Sequence, residues 1–88
     1  MRIGIIGYGN VGKAFVKLLK IKNKYLETLG INPILTYVLD SKGGIYNSNG
    51  IDFDNVIVSE ILKSNELYDK KINFDFLMSN KDIDVLME

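Results

Sequence analysis

Three glycines near the N-terminus, Gly7, Gly9 and Gly12, have a spacing that suits phosphate binding. Gly7 permits a tight turn after a strand, Gly9 lets a pyrophosphate approach the backbone, and Gly12 lets a following helix pack closely. The N-terminus of that helix would offer free N–H groups to the phosphates. The spacing predicts a dinucleotide-binding turn, because packing alone would explain Gly12 but not Gly7 and Gly9 together.

Two further residues of this turn have predicted roles. Asn10 and Val11 are expected to line the pyrophosphate through their backbone groups. Asn10 is also a residue type that caps helices, and capping is the main role we predict for it.

An acidic residue, Asp40, follows the second predicted strand, where a carboxylate can bind both ribose hydroxyls of NAD. Asp40 is also a common turn former at a strand end, and that alternative stays open. Ser41 and Lys42 come next, and a cation there would pair with the 2′-phosphate of NADP. The residues predict NAD or NADP as cofactor without deciding between them.

The elements that must position these residues follow from hydrophobic spacing. Val11, Ala14, Phe15, Leu18 and Leu19 recur as on one face of a helix, which we expect to face the core. Lysines fill much of the rest of that helix, as on a solvated face, and Gly30 is its predicted stop. In chain order we predict a buried strand over 2–7, this helix, a strand over 34–39 and a loop over 41–50. A helix then runs from Asp52 or Asp54 to about Leu62, with Val56, Ile57, Ile61 and Leu62 inward. A helix over 74–80 and a buried strand over 83–87 complete the predicted elements.

The predicted fold class is α/β. It is a partial Rossmann (doubly wound) fold of about three parallel strands with flanking helices, spanning residues 1–88.

Eleven basic residues balance 11 acidic ones, which predicts no nucleic-acid partner. Cysteine and histidine are absent, so thiolate, imidazole and most zinc chemistry are excluded. With no long apolar segment and no secretory signal pattern, we expect a cytoplasmic protein without a membrane partner.

Three segments, MRIGIIGYGNVGKAFVKLL, VLDSKGGIYNSNGIDF and KDIDVLME, resemble the N-terminal part of homoserine dehydrogenase, particularly its archaeal-type forms. The glycine turn alone would fit many dehydrogenases, whereas the segment after Asp40 is more discriminating. The resemblance implies NAD(P)-dependent interconversion of aspartate semialdehyde and homoserine, in the biosynthesis of threonine and methionine. It also implies that Gly7, Gly9, Gly12 and Asp40 contact the cofactor, together with Asn10, Val11, Ser41 and Lys42.

The catalytic residues of that family match nothing in these 88 residues. We therefore expect a truncated or split part of the enzyme, inactive alone, whose partner is the remainder of the enzyme or a second copy of the chain. A non-enzymatic dinucleotide-sensing domain, the nucleotide domain of another NAD(P)-dependent oxidoreductase, and a structural fragment completed by a separately encoded remainder are the alternatives.

Overall fold

A computed structural model of the chain describes residues 1–59 and 61–88. In chain order its elements are β1 (Arg2–Ile6), α1 (Asn10–Thr28), β2 (Ile34–Leu39), β3 (Gly44–Tyr46), α2 (Phe53–Ile57), a single 3-10 turn (Leu62–Ser64), α3 (Phe74–Asn80) and β4 (Val85–Met87). No helix in the described ranges has the length and apolar character needed to cross a membrane.

The strands form one mixed sheet in the order β3-β2-β1-β4. β1 pairs in parallel with β2 on one side and with β4 on the other, whereas β3 runs antiparallel to β2. The α/β class and the three parallel strands are therefore confirmed. The prediction of a loop over 41–50 is wrong at its centre, because the chain turns back after Asp40 and the segment Gly44–Tyr46 pairs with β2.

The two faces of the sheet are covered by different helices. On one face Ile5 and Val38 belong to a buried cluster with Val16 of α1 and Val56 of α2. On the other face Tyr37 and Leu39 are buried with Leu77 of α3, and the rings of Tyr46 and Phe76 lie 4.5 and 6.3 Å from that of Tyr37. Since β1 and β2 are covered on both faces, their continuous apolar sequences are accounted for.

The prediction of the inward face of α1 is wrong for three of its five residues. Val11 and Leu18 are 80% and 50% exposed, and Ala14 is exposed as well. The helix instead buries Gly12, Val16 and Leu19 against the sheet, with Phe15 half-buried. α1 therefore carries two apolar stripes, and the spacing rule selected residues from both. Its predicted stop is confirmed, because Thr28 is its last residue and Gly30 takes a φ of +79°.

The later elements follow the prediction in outline. α2 is shorter than the predicted helix, with Asp52 as its cap; of the residues predicted inward, Val56 and Leu62 are buried, but Ile61 is 67% exposed. Glu60, which falls within that predicted helix, lies outside the described residues. α3 matches its predicted bounds and is capped by the side chain of Asn73. β4 lies within the predicted strand but is exposed rather than buried, because among the described residues only β1 pairs with it.

A charged cluster fixes the turn into β4. The guanidinium Nε of Arg2 lies 2.6 Å from Oδ1 of Asp82, and the Tyr46 hydroxyl donates to Oδ2 of Asp82 at 2.8 Å. These two donors, Arg2 first, lower the pKa of Asp82 below its ordinary value. The backbone N–H of Arg2 also donates to Asp84. The start of β1 thereby holds the segment that leads into β4.

Candidate functional site

The turn between β1 and α1 is held by its backbone. Gly7 has a φ of +88°, a conformation that residues with a side chain rarely adopt, and its N–H donates to the Leu39 carbonyl at 2.7 Å. A Cβ on Gly12 would stand 2.5 Å from the Gly7 carbonyl oxygen, so α1 approaches the turn at this distance only because residue 12 is glycine. Turn geometry and packing thus explain two of the three glycines.

Gly9 is different, because packing does not require it. Apart from Gly9 and its two chain neighbours, no described residue has an atom within 4 Å of the position that its Cβ would take, and its φ of −99° suits any residue. A side chain at Gly9 would extend into open space at the N-terminus of α1. The missing side chain leaves that space free for a ligand.

The N-terminus of α1 lies directly behind this space. Gly9 is the N-cap residue, and within the described residues no side chain caps the helix and no acidic residue stands in its first turn. Asn10 is the first helical residue, so the prediction that it caps the helix is wrong; a cap must precede the first turn, and Gly9 holds that place. The N–H groups of the first turn and the positive end of the helix dipole are left to bind an anion.

Asp40 directly follows β2, and its side chain stabilises the turn into β3. Its Oδ1 accepts hydrogen bonds from the N–H groups of Lys42 and Gly43 at 2.8 and 2.9 Å, and from the Tyr68 hydroxyl at 2.8 Å. The alternative prediction that Asp40 forms a turn at the end of the strand is therefore confirmed. Oδ2 accepts no hydrogen bond from the described residues, so one carboxylate oxygen remains available to a ligand.

Tyr68 was not predicted as part of this site. Burial, and then its hydrogen bond to Asp40, raise the pKa of Tyr68 from 10.0 to about 12. Its hydroxyl takes part in fixing the carboxylate of Asp40. No local pattern around Tyr68 indicates this, because the contact joins residues 28 positions apart.

Two clefts open at the carboxyl ends of the parallel strands and share Ile6 and Glu88. The larger encloses about 470 Å³ and is lined by Ile6, Asp40, Ser41, Asn73, Phe74, Asp75 and Glu88. The smaller, of about 50 Å³, is lined by Ile5, Ile6, Gly7, Val11, Gly12, Phe15, Met87 and Glu88. The structure therefore brings the glycine turn, which follows β1, and Asp40, which follows the neighbouring strand β2, to one end of the sheet.

The remaining predicted residues divide between these clefts and the solvent. Val11 lines the smaller cleft and Ser41 the larger, whereas Lys42 is exposed and lines neither. Sequence reasoning did not identify Phe74 and Asp75 as site residues. The side chain of Asn73, which caps α3, lines the same cleft as Asp40, and the sequence analysis did not identify Asn73 either.

The carboxylates of the larger cleft do not form a metal centre. Across residues 1–59 and 61–88 no three acidic side chains converge closely enough to hold a metal ion. The arrangement can instead bind an elongated ligand, with an anionic group at α1 and a hydroxyl-bearing group at Asp40. No protein-family model matches the chain, and no solved structure gives a significant match.

Proposed function

We propose that this chain binds NAD across the carboxyl ends of β1, β2 and β4, as the cofactor-binding part of a homoserine dehydrogenase. The observation that carries the proposal is the open space at Gly9 in front of α1. Beyond the two chain neighbours of Gly9, no described residue has an atom within 4 Å of a Cβ built there, and no described side chain caps the helix behind it. Packing gives no reason for a glycine at this position, whereas a closely approaching pyrophosphate does.

Each part of a dinucleotide, taken in order along the ligand, has residues that could bind it. The pyrophosphate would bind the N–H groups at the start of α1, and a ribose would bind the free Oδ2 of Asp40. The cleft of about 470 Å³ beside Asp40, which Phe74 lines, would take the adenosine. When bound, the cofactor supplies hydride transfer, while residues of this chain hold and orient it.

The charges around the larger cleft favour NAD over NADP. Asp40, Asp75 and Glu88 all line it, and no lysine or arginine is among its described lining residues. Since the 2′-phosphate of NADP carries negative charge, these carboxylates would repel it. The sequence left Lys42 as a possible partner for that phosphate, and its position outside the cleft supports the choice of NAD.

The sheet order supports a partial doubly wound fold. β2 and β4 lie on opposite sides of β1, so the connections diverge at the carboxyl end of β1, where such folds bind their ligands. The antiparallel β3 departs from that pattern. We propose the partial Rossmann fold with this one departure.

The choice of homoserine dehydrogenase among dehydrogenases rests on the sequence resemblance, above all on the segment after Asp40. Nothing in the 88 residues matches the catalytic residues of that family. We therefore propose that this chain holds the cofactor and that other groups bind the amino acid and transfer its proton.

Calorimetric titration of the purified chain with NAD⁺, NADH, NADP⁺ and NADPH tests cofactor binding. We expect saturable binding, at least about tenfold tighter for NAD⁺ than for NADP⁺, and its loss in Gly9→Val. Ser79→Val, an exposed substitution near the end of α3, is the control, with circular dichroism to verify the fold of both variants. A folded chain that binds none of the four dinucleotides overturns the proposal.

A second experiment separates a dehydrogenase from a dinucleotide sensor. The chain is mixed with a separately expressed substrate domain of a homoserine dehydrogenase, and NADH formation from homoserine and NAD⁺ is followed by absorbance. We expect turnover that requires both components and fails with Gly9→Val. NAD binding without turnover in the mixture would favour the sensor.

A further inference from the structure

α1 carries a second apolar stripe that faces away from the sheet. It consists of Val11, Ala14, Leu18, Ile21 and Tyr25, spaced alternately three and four residues apart, which we call the outer stripe. Its four large side chains are between 50% and 80% exposed. Isolated exposed apolar residues are ordinary, but a continuous row along one helix marks an interaction surface.

The outer stripe faces solvent, on the side of α1 opposite its buried residues Gly12, Val16 and Leu19. α2 contacts α1 between these two faces, where Lys20 forms an ion pair with Asp54. Helical periodicity places the outer stripe beyond Phe15, which lines the smaller cleft together with Val11 and Met87. The apolar surface therefore continues from α1 to β4, so a neighbouring helix has a place beside α1 on this side.

Lysines border the outer stripe on both sides. Lys17 and Lys24 follow one border and Lys22 the other, and within the described residues none of the three forms an ion pair. The only acidic residue of α1 is Glu27, near its end. We propose that the outer stripe docks an amphipathic helix of another polypeptide, apolar on one face and acidic along the borders of that face.

Charge decides against a second copy of the chain as the occupant. A copy that used its own outer stripe would bring its lysines against Lys17, Lys22 and Lys24. Like charges along paired helices oppose such an interface, and opposite charges specify a partner.

An anionic membrane fits this surface less well than a helix does. Asp84 and Glu88 flank β4 at the end of the same apolar surface, and anionic headgroups would repel them. The outer edge of β4 also presents backbone N–H and C=O groups without strand partners among the described residues. Hydrocarbon cannot bond such groups, which argues against burying this edge in a membrane.

The test uses a fluorescently labelled synthetic helix of about three heptads with leucine at positions a and d and glutamate at e and g. A twin peptide carries lysine instead of glutamate. Each is titrated with the full chain, and fluorescence anisotropy gives the dissociation constant. We expect the glutamate peptide to bind saturably, at least about tenfold tighter than its twin.

Two variants of the chain make the test specific to the outer stripe. Lys17→Glu/Lys24→Glu should weaken the glutamate peptide at least about tenfold and strengthen its twin. Ile21→Asp should weaken both peptides, and since Ile21 is 74% exposed the fold should be retained by circular dichroism. Lys70→Glu/Lys71→Glu makes the same charge change at exposed positions away from α1 and should bind like the unmodified chain.

Four results would overturn the proposal. They are equal binding of the two peptides, an equal loss in the Lys70→Glu/Lys71→Glu control, a dimer in sedimentation that Ile21→Asp dissociates, and binding to phosphatidylserine–phosphatidylcholine vesicles that Ile21→Asp abolishes. The third would assign the outer stripe to a second copy, and the fourth to a membrane surface. None of them depends on NAD binding, so the proposed function and this inference fail separately.

Discussion

At the scale of single residues, the glycines of the turn before α1 respond differently to an added methyl group. Gly12→Ala would place its Cβ 2.5 Å from the Gly7 carbonyl oxygen, a backbone atom that cannot simply move aside. We expect the free energy of unfolding to fall by about 1–3 kcal/mol. Gly9→Ala meets open space and should lose less than about 1 kcal/mol, the usual effect of alanine at an N-cap. Urea denaturation of both variants measures the difference, and equal losses would contradict the packing role of Gly12.

Two buried or half-buried tyrosines should respond to phenylalanine with opposite signs. The hydroxyl of Tyr37 is buried and makes no hydrogen bond within the described residues, whereas that of Tyr68 donates to Asp40. Tyr37→Phe removes an unpaired polar group and should raise the free energy of unfolding by up to about 1 kcal/mol, while Tyr68→Phe should lower it by about 1 kcal/mol. The same denaturation experiment serves, with each variant as the control for the other. A loss in both would mean that the Tyr37 hydroxyl has a partner in solution.

The same two tyrosines predict how stability depends on alkaline pH. Burial is the first cause that raises the pKa of both Tyr37 and Tyr68 from 10.0 to about 12. Because the folded-state pKa lies above the unfolded one, their contribution is complete below pH 10 and is lost as pH rises toward 12. We expect the free energy of unfolding to fall over this interval, and less steeply in Tyr68→Phe. Denaturant titrations across the interval test this, and an unchanged slope in that variant would argue against it.

At the scale of elements, the turn into β4 depends on Asp82. Arg2 and Tyr46 lower the pKa of its carboxylate, so its contribution to stability is present above pH 3.8 and is lost as pH falls through the lower folded-state value. Asp82→Asn should therefore reduce stability at neutral pH and flatten the acid dependence. Glu66→Gln, at an exposed position, is the matched control. Acid unfolding curves that coincide for both variants would contradict a role for this cluster.

Sequence patterns predicted the elements that depend on local signals. β1, β2, α1 and α3 have continuous apolar segments or helical spacing, and Gly30 marks the end of α1. β3 was missed because three residues between glycine and asparagine signals form a strand only by pairing with β2. The inward face of α1 was mistaken in part because two apolar stripes satisfy the same spacing rule. Local pattern does not state which stripe meets the sheet.

The candidate site was predictable to a similar degree. The glycine turn and Asp40 are separate in sequence, but parallel strands bring them to the same end of the sheet. Tyr68, Phe74 and Asp75 were beyond prediction, because each reaches the site through a tertiary contact without a local motif. Asn10 was assigned the cap by residue type, whereas the turn geometry gives that place to Gly9.

At the scale of the whole molecule, a ligand that binds only the folded state of this 88-residue chain should raise its free energy of unfolding. NAD⁺ at about a hundred times its dissociation constant should raise the free energy of unfolding by about 2.7 kcal/mol. Thermal unfolding followed by circular dichroism would show this as a higher Tm. Gly9→Val should melt at one temperature with and without NAD⁺. An equal rise of Tm in that variant would place the dinucleotide elsewhere on the chain.

The hydrogen bond from the Gly7 N–H to the Leu39 carbonyl has a consequence for ligand entry. It joins the residue that opens the glycine turn to the residue just before Asp40, at a distance of 2.7 Å. The strand pairing itself therefore fixes the distance between the proposed phosphate position and the proposed ribose position. When a ligand of matching length binds, the two protein positions that contact it are already held in place, so little conformational entropy of the protein is lost. Ligands with a longer or shorter bridge between their two halves would be rejected by the sheet rather than by any single side chain.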